Sequence, residues 1–151
     1  MFNVRVYGIY INEHKQVLVS DEIIKGKHYT KFCGGGLEIG EGTRECLKRE
    51  FLEEMNIAVE VGAHIYTTDF FQQSAFNKDH QIISIYYYVI PLEPINASVS
   101  NLPDFNILSG REKLNGDAET FRMIEWQEFS SDAVTLPIDK IVADLIKETH
   151  K

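Results

Sequence analysis

The stretch Gly34 to Ile57, GGGLEIGEGTRECLKREFLEEMNI, decides how the rest of the chain is read. A glycine loop opens it and one amphipathic helix continues it. On that helix Glu50, Glu53 and Glu54 stand at i, i+3 and i+4. At about 100° per residue this spacing gathers three carboxylates on one arc. Like charges four apart on a helix cost roughly 0.2–0.5 kcal/mol. A hard divalent cation gives such an arc a purpose. Mg²⁺ takes oxygen ligands and shares itself between protein carboxylates and substrate phosphates.

The other faces of the helix fit that role. Leu47, Phe51 and Met55 recur every four residues and form an apolar stripe that anchors the helix to a core. Thr43 is the expected N-cap, and Glu45 sits in the first turn, where the helix dipole favours negative charge. Asn56 suits a left-handed C-terminal stop. The plain structural alternative is a solvated acidic face with surface salt bridges, and Glu45 and Arg49 are spaced for one.

At these residues the chain resembles the Nudix hydrolase family. The family signature is G-x5-E-x7-R-E-U-x-E-E-x-G-U, with U a bulky apolar residue. Here it runs Gly35, five residues, Glu41, seven residues, Arg49-Glu50-Phe51, one residue, Glu53-Glu54, one residue, Asn56-Ile57. Every charged position matches. Asn56 replaces a glycine and tolerates the same left-handed backbone. Cys33 replaces a proline that often precedes the glycine loop, and removes no group the reaction needs.

Composition bounds the rest. The 151 residues suit one domain with a real core, expected to span 1–151. A hydrophobic share of 44% and a charged share of 25% match an ordinary globular protein. The net charge of −8 argues against a nucleic-acid polymer as partner, since phosphate-backbone binding needs a basic surface. A small phosphorylated substrate stays open, because a bound metal supplies local positive charge. Cys33 and Cys46 do not make a disulfide framework and read as reduced thiols of a cytoplasmic protein. The start, MFNVRVYG, lacks a signal-peptide pattern, and the longest apolar run, near Ile82 to Leu92, is too short for a bilayer.

In chain order, Val4 to Ile11 reads as a strand, Asn12 to Lys15 as a turn and Gln16 to Ser20 as the returning strand. Asp21 to His28 is polar, contains Gly26 and reads as a connection. Tyr29 to Cys33 reads as a short strand leading into the glycine loop. Ala58 to Phe71 reads as a strand, Gln72 to His80 as a polar loop, and Gln81 to Ile90 as the clearest strand, ended by Pro91 and Pro94. Asn96 to Glu119 is polar, with a short helix expected near Ile107 to Leu114. Thr120 to Trp126 returns as a strand. Pro137 opens a terminal helix with Ile138, Ile141, Val142, Leu145 and Ile146 on one face. The order predicts an α+β or layered α/β/α domain. The resemblance narrows this to a Nudix-type α/β/α sandwich, with a mixed sheet between helices and a loop–helix–loop signature.

The resemblance also implies a chemistry: Mg²⁺- or Mn²⁺-dependent hydrolysis of a phosphoanhydride in a nucleoside diphosphate linked to another moiety. By the same resemblance the carbonyl of Gly34 joins Glu50, Glu53 and Glu54 around the metal. Glu53 also polarises the water, and Glu41 with Arg49 forms a supporting ion pair. The general base lies outside the signature in some members. Glu119, His80 and Glu93 are candidates from position, with Glu119 preferred because it closes a polar loop before the Trp126 strand. Tyr86, Tyr87 and Tyr88 read as an ordinary strand with tyrosines on alternating faces rather than a base-stacking platform. A catalytically inactive nucleotide-binding module on the same fold is the alternative function. The isoprenoid-diphosphate isomerase branch needs further motifs that the sequence lacks. Homodimers are common among similar proteins. Base, sugar or alcohol of the substrate stay open.

Overall fold

The computed structural model describes residues 1–110 and 117–151. The chain forms two compact units, Met1–Tyr10 with Cys33–Ile95, and Ile11–Phe32 with Asn96–Lys151. Each is built on its own four-stranded mixed sheet.

In the first unit, β1 (Phe2–Ile9) lies inside a sheet of order β4-β1-β6-β5. Its edge partner β4 (Cys33–Gly36) runs antiparallel to it, and β6 (Gln81–Pro91) runs parallel. A parallel neighbour needs a crossover. Helix α1 (Thr43–Met55) and β5 (Val59–Thr67) supply part of the chain that returns to β6. α1 packs by the stripe read from the sequence: Leu47 and Phe51 are buried, as is Cys46 beside them. Gly8 makes room for it, since a Cβ there would press on the Phe51 ring at 2.9 Å and on Val89 at 2.7 Å. Burying one Phe side chain contributes about 1.5–3 kcal/mol.

In the second unit the sheet order is β3-β2-β8-β7. β2 (Gln16–Ile24), β3 (Lys27–Lys31) and β8 (Ala118–Glu125) pair antiparallel, while β7 (Ser98–Val99) pairs parallel to β8. Helix α3 (Pro137–Thr149) begins with its proline at the first helical positions, where a missing N–H is harmless. It buries Ile138, Val142, Ala143 and Ile146. Polar anchors fix it: Asp139 accepts from the Phe32 N–H at 3.2 Å, and Lys147 donates to the Trp126 carbonyl at 2.6 Å. A small cluster of Ile23, Leu108 and Ala118 seats the short helix α2 (Phe105–Ser109). Among the described residues, no helix is long and apolar enough to cross a membrane.

The α+β architecture is as expected, with its strands in two mixed sheets. The structure corrects several finer expectations. Asp21 to His28 is not a connection: β2 continues through Ile24, turns at Lys25-Gly26, both with positive φ, and returns as β3. The N-cap of α1 is Gly42, not Thr43, whose hydroxyl lies 2.7 Å from the Tyr87 hydroxyl instead. Asn56 takes the left-handed stop at φ 55°. Glu119 does not close a loop; it lies inside β8. The short helix starts at Phe105, and positions 111–116 of the stretch expected to hold it lie outside the described residues.

Candidate metal centre

The candidate centre starts with three glycines in β4. Gly34 has φ +155°, and a Cβ there would run into the carbonyl oxygen of Val6 and sit 2.8 Å from Tyr7 Cα. Gly35 faces the helix. A Cβ on it would lie 2.5 and 2.6 Å from the two carboxylate oxygens of Glu50. Glycine therefore lets the β4 backbone press against the first acid of the arc. Glu50 is largely buried there, Glu53 is 58% exposed and Glu54 is exposed. The arc thus runs from a carboxylate packed on the strand to carboxylates open to solvent.

Arg49 is the hub of this region. Its Nε and Nη2 donate to the two oxygens of Glu41 at 2.9 and 2.7 Å, a bidentate pair that bridges loop and helix. Nη2 also donates to the Gly36 carbonyl at 3.0 Å. Nη1 reaches Glu50 at 2.9 Å and Glu53 at 3.2 Å, and lies 3.7 Å from Glu38. Glu45 takes no part. Its carboxylate accepts from the Gly42 N–H at 3.1 Å and serves the helix start.

The hydrogen bonds from Arg49 hold the Glu41 carboxyl down at about 2, helped by the Glu38 N–H. The same bonds raise the Arg49 guanidinium above its ordinary value. A carboxyl whose folded value is depressed stabilises the fold above its unfolded value, here about 4.5, and loses that contribution as pH falls through about 2. The stability difference between parent and Glu41→Gln is therefore expected to be constant above about pH 5 and to vanish near pH 2. Urea denaturation across that range measures it. A difference independent of pH would mean the ion pair does not stabilise this loop.

The donor set fits a hard cation. The arc offers only carboxylate oxygens, set against a strand whose glycines admit close approach. The nearby soft donor is withdrawn: Cys46 is buried, and burial, with Glu41 next, pushes its thiol up to about 12. Its Sγ donates to the Gly36 carbonyl at 3.5 Å.

Of the acids outside the signature, Glu119 stands opposite Glu22 in the β2–β8 register. An oxygen of each lies within 4.8 Å of the other's. The buried Ser20 hydroxyl is 2.8 Å from Glu119 and 3.2 Å from Glu22. The buried Lys31 ammonium reaches Glu22 at 3.1 Å. Burial, then the hydrogen bond with Glu119, raises the Glu22 carboxyl to about 7, against the pull of Lys31. Two carboxylates placed opposite each other on a sheet repel. A carboxyl raised by burial beside a second one is a pattern frequent at functional sites. Glu22 was not anticipated. The signal that could have found it is the period-two continuation of Val17 and Val19 to Ile23, which makes Glu22 a strand residue. His80 and Glu93 serve their own surroundings, His80 bonding Asn77 at 3.2 Å and Glu93 accepting from the Ala58 N–H at 3.5 Å.

A family model described as NUDIX domain matches residues 1–143. Three solved structures illustrate the likeness. The E. coli ORF135 protein matches at TM-score 0.69 and 15% identity, over 97% of this chain and 89% of its own. The MutT protein from Methanosarcina mazei Go1 matches at 0.65 and 17%, over 99% and 96%. A NUDIX hydrolase from Nitrosomonas europaea matches at 0.61 and 19%, over 98% and 71%. At these identities the likeness is one of fold, an α+β sandwich of this type. Among curated proteins, none matches the chain.

Proposed function

The chain belongs to the Nudix family, and on that premise we propose that it is a Mg²⁺- or Mn²⁺-dependent hydrolase of a phosphoanhydride bond in a nucleoside diphosphate linked to a second moiety. The observation that carries this reading is the acidic arc of α1, with Glu50 seated on Gly35 and Glu53 and Glu54 on the same side of the helix. Glu50, Glu53, Glu54 and the carbonyl of Gly34 would hold the cation. When bound, it neutralises diphosphate oxygens and acidifies the attacking water.

The chain's own groups divide the remaining work. Glu53 orients and polarises the water. Glu119 takes its proton as general base, a role that suits a carboxylate held by Ser20. Glu41 locks Arg49, and Arg49 in turn keeps Glu50 and Glu53 from splaying apart. In this reading all 151 residues form one domain of a cytoplasmic enzyme. It acts on a small nucleotide derivative, not a nucleic-acid polymer, and the reading extends to a homodimer.

The test is an assay of parent and Glu54→Gln against a panel of nucleotide derivatives over a range of Mg²⁺. Glu54→Gln is expected to turn over about tenfold more slowly at limiting Mg²⁺, since the amide keeps one weaker oxygen donor and two acids remain. Equal turnover would remove Glu54 from the metal site. In the same assay Glu119→Gln lowers turnover without moving the Mg²⁺ requirement. Parental turnover in that variant would take the base away from Glu119.

A further inference from the structure

The first turn of α1 holds a cation where the helix dipole disfavours one, at Arg44. The structure shows where its charge is used. Arg44 Nη1 donates to the carbonyls of Val61 at 2.8 Å and Gly62 at 2.9 Å. These residues lie at the first register shift of β5: Val61 pairs with Val89, and the next pair is His64 with Tyr87. The strand there carries one residue more than its partner, a bulge that interrupts the ladder. The Arg44 guanidinium also lies 4.7 Å from the centre of the Tyr87 ring. The Tyr87 hydroxyl is 2.7 Å from that of Thr43, and His64 meets the same ring edge-on at 5.6 Å. Helix start, bulge and central strand thus close around one buried tyrosine.

This arrangement bears on the acids further along the helix. Leu47 and Phe51 hold α1 to the sheet by apolar burial, which has no direction and resists sliding or rotation weakly. Gly42 offers no side-chain cap. Further along, Cys46 and Arg49 donate to the Gly36 carbonyl of β4; at the first turn the directional bonds to the sheet are those of Thr43 and Arg44. We propose that Arg44 and Tyr87 are positioning residues for the metal-holding acids: they latch the first turn of α1 to the β5 bulge and so set where Glu50, Glu53 and Glu54 stand. The proposal rests on the metal reading above.

The test measures Mn²⁺ binding by electron paramagnetic resonance, and the Mg²⁺ dependence of turnover, in Arg44→Ala, Arg44→Lys and Tyr87→Phe. Arg44→Ala is expected to need about fivefold more Mg²⁺ for half-maximal turnover, with Mn²⁺ affinity falling in parallel. Arg44→Lys restores part of the loss, because an ammonium still reaches a carbonyl but cannot stack as a planar fork. Unchanged Mn²⁺ affinity and Mg²⁺ requirement in Arg44→Ala, even with a lower melting temperature, would overturn the proposal, since a merely structural brace gives that result. Should Arg44→Ala fail to fold, Tyr87→Phe, which removes one hydroxyl, decides by the same readouts. Failure of the metal reading looks different: the parent itself would bind no Mn²⁺, and the latch would fall with it.

Discussion

On the proposed metal reading, Gly35→Ala is expected to yield a folded protein whose Mg²⁺-dependent turnover is about a hundredfold below the parent's. The new Cβ would lie 2.5 and 2.6 Å from the Glu50 oxygens, closer than any real contact, so one group must move. The group that yields is the far end of a flexible side chain, and the β1–β4 pairing survives. Yet Glu50 is the most enclosed acid of the arc, and its displacement by about 1 Å would take an oxygen away from the proposed cation site. Gly34→Ala is the contrasting case, in which the fold itself suffers. There φ is +155° and the intruded atom is the backbone oxygen of Val6, which cannot turn aside. That variant loses stability by roughly 3 kcal/mol. Thermal melting and Mn²⁺ binding on both proteins separate the effects. Parental turnover in Gly35→Ala would show that Glu50 need not stand where it does.

Local periodicity made α1 and β6 readable, because each carries its signal within itself. Gln81 to Ile90 is a run of β-branched and aromatic residues, and the signature helix repeats its apolar stripe every turn. The second half of β2 was hidden for a definite reason. Asp21 and Glu22, just after Ser20, look like turn residues, since in isolation their polarity has no cost in a loop and a large cost in a buried strand. Their partners Arg122 and Glu119 lie about a hundred positions away in sequence, on β8. The same blindness placed Glu119 in a loop. At the helix start, Thr43 satisfies every local rule for an N-cap, but Tyr87 offers its hydroxyl a partner that no local rule includes. Arg44 carried no signal at all. Its reason for being there is a bulge in β5, and a register shift is a relation between two strands. The acids proposed to hold the cation stood out in the sequence because a hard cation would use several like groups at helical spacing. The Glu41–Arg49 pair came with the resemblance, whereas Arg44 and its partner Tyr87 gave no such signal, because they work across a sheet or between elements.

Removing one partner of the Asp21–Arg122 pair is expected to destabilise the protein by about 3–5 kcal/mol. Both side chains are buried, at 2% and 5% exposure. Arg122 donates from Nε at 2.6 Å and Nη2 at 3.1 Å to the two oxygens of Asp21, and from Nη1 at 2.9 Å to the Ser100 carbonyl. Thr30 donates its hydroxyl to the same carboxylate at 2.7 Å, so the network ties β2, β3, β8 and the segment after β7. Arg122→Met leaves a carboxylate in a dry interior with one hydroxyl for company, which is the costly case. The double variant Asp21→Leu with Arg122→Met removes both charges and should cost less than Arg122→Met alone, because neither ion is then desolvated without a partner. Urea denaturation measures all three, and a single-variant cost below about 1 kcal/mol would show that the pair does not hold this sheet. The consequence reaches the opposite face. Residues alternate sides along a strand, so Asp21 and Arg122 lock one face of β2 and β8 while Ser20, Glu22 and Glu119 stand on the other. A strand that slips when the pair is broken carries Glu119 with it. Arg122→Met should therefore lower turnover at temperatures where the protein is still folded, while a Glu119 that merely decorates the sheet would leave turnover untouched.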